Sequence, residues 1–142
     1  MFFRRKKKEE KDENPRRKIP VESFSTVKVE VSGMCIGFTM EAVRTETGVQ
    51  VSKYSMSWTP EKRLLLGRAE CGADEFIALL NECDLIGWNG FVGERPPGLL
   101  DGDSFVLEAT VNGDLRVSAH GSGILPTDIG KLDYEMKRII SE

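Results

Sequence analysis

Val27, Val29 and Val31 alternate with Lys28 and Glu30, the period-two pattern of a strand with one buried face. Residues 33–37, with glycine at both ends, turn the chain. Phe38, Met40 and Ala42 then alternate with Thr39, Glu41 and Val43 in a second strand. Thr47-Gly48 supplies a residue tolerant of positive φ, and residues 49–56 form a third strand, closing a hairpin. Trp58-Thr59-Pro60-Glu61-Lys62 places proline where a type I turn accepts it, and residues 64–69 form a fourth strand. The first half therefore predicts an antiparallel meander.

The period then becomes helical. Phe76, Leu79, Leu80 and Cys83 fall at i, i+3, i+4 and i+7, and Asp74 caps or charges the first turn of a helix over 75–82. A second alternating pair follows, with Phe105, Leu107, Ala109 and Val111 before Asn112-Gly113 and Leu115, Val117 and Ala119 after it. A two-residue turn would set Val111 opposite Asp114 and Ala109 opposite Arg116, bringing charge onto the apolar face. A three-residue loop sets Val111 opposite Leu115, Ala109 opposite Val117 and Leu107 opposite Ala119. A slip of one residue moves every side chain to the other face, so burial selects the second register, with a bulge or a three-residue loop. Glu108, Thr110, Arg116, Ser118 and His120 then share the solvated face. Pro126 suits the first turn of a last helix whose stripe is Ile129, Leu132, Met136, Ile139 and Ile140, with Lys137 and Arg138 near its end. The pattern predicts an α+β, two-layer fold: a single antiparallel sheet of about six strands, meander plus C-terminal hairpin, with two helices on one face.

Length adds that residues 19–142 form one domain, large enough to bury a core without metal or disulfide. The chain has no stretch of 18 apolar residues and no secretory leader, so a soluble cytoplasmic protein is expected. Charge changes the picture more. Residues 1–18 hold nine Lys and Arg against four Asp and Glu, a net of +5, which leaves eleven bases against nineteen acids, −8, for the rest. So charged a segment, with little to bury, is expected to be a disordered basic tail. Met1-Phe2-Phe3 and the five bases behind it would let the tail touch an anionic membrane or nucleic acid. Its interleaved acids weaken that field, and the plainer reading is a solubilising tail that folds back on the acidic domain. A domain at −8 is itself a poor nucleic-acid binder.

Cys35, Cys71 and Cys83 are odd in number and lack C-x-x-C spacing, so they read as reduced, buried thiols. Together with His120 they lack the paired knuckles of a zinc site, and a single histidine removes multi-histidine metal sites. Asp101-Gly102-Asp103 stops after two acids and reads as a turn rather than a calcium loop. No cofactor and no metal are implied.

Residues 84–103 hold five glycines and two prolines around Trp88, Phe91 and Arg95. Long loops are often functional, and Trp and Arg are favoured interface anchors, so Trp88, Phe91 and Arg95 form a candidate binding surface. The competing reading folds Trp88 and Phe91 back as a lid on the core, with 91–94 a short edge strand. Gly121, Ser122 and Gly123 form a glycine-rich turn before a helix, a place where backbone N–H groups can meet an anion. They carry neither the Walker lysine nor the dinucleotide fingerprint, and a tight strand-to-helix connection explains them equally. His120 and Ser122, with Glu108 or Asp103, outline a hydrolytic set, although nucleophile and base usually come from separate segments.

Trp88-Asn89-Gly90-Phe91, then Leu100-Asp101-Gly102-Asp103-Ser104-Phe105, then Ala119-His120-Gly121-Ser122-Gly123 and Pro126 resemble a recurrent pattern. In it a W-x-G-F loop precedes an L-D-G-x-x-F hairpin, then G-S and a proline that opens the last helix. The resemblance, over about residues 85–140, is to a bacterial domain family of unknown function found in cytosolic proteins and lipoproteins of gut-type bacteria. It implies a bacterial origin and brings no activity. No lipoprotein leader accompanies it here. The reading that follows is a non-enzymatic protein-interaction module, binding a protein partner or a second copy through the loop around Trp88 or an open sheet edge. The alternatives are a small hydrolase or ligand-binding enzyme using His120 and Ser122, and an adaptor driven by the tail to a membrane surface or nucleic acid.

Overall fold

The computed structural model describes residues 19–33, 37–55, 63–93, 103–123 and 125–141. The basic tail, Cys35, the turn at Pro60, Arg95 and the Asp101-Gly102 turn lie outside them. The valine-rich segment becomes β1 (Phe24–Ser32), and it is paired on both sides. The sheet runs in the order β4 (Leu65–Cys71), β3 (Val49–Ser55), β2 (Gly37–Arg44), β1, β6 (Asp103–Val111), β7 (Leu115–Gly123), β5 (Val92–Gly93). Two helices, α1 (Ala73–Glu82) and α2 (Thr127–Ser141), pack on one face, making the fold α+β. Val27, Val29, Met40, Ala42, Val49 and Val51 are fully buried beneath them. From above, Phe76 and Leu80 of α1 and Leu132 and Met136 of α2 close the core.

The sheet departs from the expected six antiparallel strands. Among the described residues it has seven, and β5 runs parallel to β7. After α1 the chain makes a 3-10 turn at Leu85–Trp88 and then travels along the outer edge of β7. The Gly90 N–H donates to Ser118 O at 2.8 Å and the His120 N–H to Phe91 O at 3.1 Å. A strand of two residues has no room to display a period, so alternation does not count it, but it falls within the short edge strand that the competing reading places at 91–94.

Two local assignments also change. Gly48 does not adopt positive φ; a Cβ there would lie 2.7 Å from the carbonyl oxygen of Cys71, so glycine serves the close approach of the turn to β4. The N-cap of α1 is Gly72, with no side-chain cap, so Asp74 contributes only charge in the first turn beside Glu75.

The C-terminal hairpin has the register that burial demands. Val111 faces Leu115, Ala109 faces Val117 and Leu107 faces Ala119. Asn112 and Gly113 both take positive φ, 50° and 95°, in a three-residue loop. Asn112 does more than turn. Its Oδ1 accepts from the N–H groups of Glu22 at 2.7 Å and Ser23 at 3.2 Å, and its Nδ2 donates to Pro20 O at 3.0 Å. One side chain thus ties the entry to β1 to a loop some ninety positions later. Asn112→Ala should remove these bonds and strain the left-handed backbone, costing about 2–3 kcal/mol. Asn112→Gly, which keeps the backbone, should cost about 1 kcal/mol less, and urea unfolding of both variants measures the difference.

Candidate functional site

Trp88 ends the 3-10 turn half-buried against the core, and its Nε1–H donates to Asp128 Oδ2 in the first turn of α2 at 3.2 Å. Its ring meets Phe91 edge-on, with centroids 4.9 Å apart, and Phe91 stacks in turn on Phe105 at 6.2 Å. Between the two aromatics, the Asn89 Oδ1 accepts the N–H of Ser118 at 2.9 Å, and Gly90 takes φ 86°. The Trp-Asn-Gly-Phe run therefore fastens α2, the edge of β7 and the core to one another. Phe91 stays 37% and Val92 60% exposed, so the segment also leaves apolar surface at this edge. Arg95 lies outside the described residues.

Gly121, Ser122 and Gly123 are placed in β7, not in a turn, and pair with Phe105, Ser104 and Asp103 of β6. A Cβ on Gly121 would stand 3.2 Å from the Cα of Gly93 and 3.0 Å from Phe105, so the glycine admits the parallel strand beside it. Gly123, at φ 107°, turns the chain away from the sheet towards Pro126, whose carbonyl accepts the first helical N–H, from Gly130, at 2.9 Å.

His120 and Ser122 project from the same face of β7, the solvated one, and His120 is exposed. Glu108 lies across the ladder opposite Ser118, and its carboxylate pairs with Lys28 at 3.5 Å rather than with the imidazole. Among the described residues His120 makes no side-chain hydrogen bond. The depression on this face, about 400 Å3, is lined by Lys28, Glu41, Glu108 and Arg116 among others, and His120 is not part of its wall. Cross-strand neighbours order these charges in a row, Ser118, Glu108, Lys28, Glu41, Ser52 and Arg68, in which opposite signs stand side by side. Arg68 donates from Nε to Ser52 Oγ at 2.9 Å.

Cys71 and Cys83 are set apart from nucleophilic chemistry. Burial, and then Glu75, pushes the Cys71 thiol up; burial, followed by Asp128 among nearby charges, pushes Cys83 up to about 11. Cys71 stands on β4 and His120 on β7, with four strands between them. Among the described residues no group of three His, Cys, Asp or Glu side chains is placed to hold a metal ion. Nor is any helix among them long and apolar enough to cross a membrane.

The opposite edge of the sheet carries outward apolar side chains. Leu64, Leu65 and Leu66 are 65%, 49% and 49% exposed at the start of β4. Three successive apolar residues in a strand with one buried face were the available signal. The register slips here, since Lys53 faces Gly67 while Tyr54 faces Leu65, and the extra residue turns the leucines outward. In comparisons with known proteins, no family model matches the chain and no curated protein matches its sequence.

Trp88→Phe should lower stability by about 1 kcal/mol through the lost bond to Asp128, and Trp88→Ala by about 3 kcal/mol, by thermal or urea unfolding. His120→Gln should change it by no more than about 0.5 kcal/mol. At pH 8 the Cys83 thiol should be alkylated on the order of a hundredfold more slowly than in the unfolded chain, because its thiolate fraction is lower by that factor.

Proposed function

We propose that this chain is a protein-interaction module that takes an extended segment of a partner along the outer edge of β4. The observation that supports it is the run Leu64-Leu65-Leu66, exposed at the end of a seven-residue edge strand. Among the described residues no strand pairs with that edge. Natural sheets usually blunt an edge with charge, proline or a bulge, because its unpaired N–H and C=O groups are a template for another chain. Here charge flanks the leucines, at Arg63 before them and Arg68 and Glu70 beyond, and the bulge at Leu66 leaves the three leucines themselves outward rather than covered. An added strand would gain main-chain hydrogen bonds from β4 and apolar contact from the leucines. The partner is a protein or a second copy of the chain. The resemblance and the reduced thiols favour a bacterial cytoplasmic setting.

The surface at Trp88, Phe91 and Arg95 is the second reading, favoured by the exposure of Phe91 and Val92. It is the weaker of the two, since β5 offers only two residues of backbone. Leu65→Lys combined with Leu66→Lys separates them. The pair should leave the urea midpoint nearly unchanged, since each is a surface substitution. It should lower partner capture by roughly tenfold or more, and abolish any rise of sedimentation mass with concentration if the partner is a second copy. Capture unaffected by this pair but lost in Phe91→Ser assigns binding to the other edge.

A further inference from the structure

A groove of about 680 Å3 runs between α1 and α2 over the β4 side of the sheet. Leu79 and Ile139 contribute apolar surface to it, and Glu70, Glu75, Glu82 and Glu135 surround that surface. Two bases stand among the acids, and both are engaged: Lys131 with Glu82 at 3.0 Å and Arg138 with Glu135 at 2.7 Å. Glu70 and Glu75 have no ion-pair partner among the described residues. The groove thus offers an apolar floor and two unmatched carboxylates.

The chain itself holds the complementary segment, and the fold brings it close. The Val21 N–H donates to Asn81 Oδ1 at 2.8 Å, and Asn81 Nδ2 donates to Val21 O at 3.1 Å. The backbone is thereby pinned to the last turn of α1, one residue from Glu82. Extended chain covers about 3.3 Å per residue and a ten-residue helix about 15 Å, so residues 4–8 reach every carboxylate on the rim after crossing the helix. We propose that the basic segment 1–18 docks in this groove of its own chain. Phe2 and Phe3 lie on the Leu79 and Ile139 floor, and the five bases at 4–8 meet Glu70 and Glu75. Charge complementarity carries the choice of occupant: +5 on the segment against −8 on the rest, of which four acids against two bases surround the apolar floor here. The thiols report the same negative field, since after burial Glu75 raises Cys71, and Asp128, Glu82 and Glu135 raise Cys83 against the opposing Lys131. Tethering makes even weak contacts count, because the arm is held at an effective concentration of order millimolar.

The full chain tests this directly. Amide NMR spectra of the wild type and of a variant with Arg4, Arg5, Lys6, Lys7 and Lys8 all replaced by Gln should differ at residues 70, 75, 79, 82 and 139. The differences should collapse in about 0.5 M sodium chloride, where screening shortens the reach of charge to about 4 Å. They should be unchanged on roughly tenfold dilution, as expected of an intramolecular contact. In low salt, trypsin should cut the arm of the full chain several-fold more slowly than a synthetic peptide of residues 1–18. Glu70→Gln combined with Glu75→Gln should restore the peptide's rate. Spectral differences absent from the groove, centred on the open sheet face, or lost on dilution would overturn the proposal. So would an arm cut at the peptide's rate in the wild type.

Discussion

Among the described residues, β1 joins two halves of the chain that have no other strand pairing. On one side it pairs with β2, its neighbour in sequence; on the other it pairs with β6, some eighty residues away. Val27 and Val29 are fully buried, while Lys28 and Glu30 point to the solvated face. That alternation fixes both ladders at once, because a one-residue slip on either side would put a charge under the helices. The meander and the C-terminal hairpin are thereby brought into one sheet, and α2, which follows the hairpin, lies back across β1 to β4 of the first half.

The two sheet edges are built differently. At β7 the edge is fastened down: Asn89 caps it, Gly90 and Phe91 bond to it, and the close approach of Gly93 and Gly121 seats the short parallel strand. The aromatic chain Trp88, Phe91, Phe105 and the Trp88–Asp128 bond carry this fastening into the core and α2. Trp88, Asn89, Gly90 and Phe91 are therefore employed in holding the second half together. β4 has no such cover among the described residues, and its leucines turn outward through a register slip.

Much of this was legible in local pattern. The loop at Asn112 illustrates why: the Asn-Gly pair signals a tight turn, yet the alternation of Leu107, Ala109, Leu115 and Val117 overrides the two-residue form. Burial acts on every residue of the strand, whereas turn preference acts on two. What escaped depends on partners distant in sequence. That Asn112 would bind the backbone of residues 20–23, or Trp88 the carboxylate of Asp128, is written in no window of the chain. At Gly48 the local pattern points to positive φ, whereas the constraint comes from Cys71 across the strand pair. The groove between the helices was hidden likewise, because its acids come from β4, α1 and α2, and only the packing angle of the helices gathers them.

Synthesis of the chain from its N-terminus meets the central position of β1 in a particular way. β1 to β4 are complete by Cys71, but β6 ends only at Val111, about 40 residues later. At roughly 5–20 residues per second, β1 waits on the order of two to eight seconds as an edge strand with its valines lacking their final cover. An exposed, valine-rich edge is the kind of surface on which nascent chains pair with one another. The pairing that organises the finished sheet is thus the one whose first strand waits longest for its partner, and handling by chaperones during that interval would bear on the yield of folded protein.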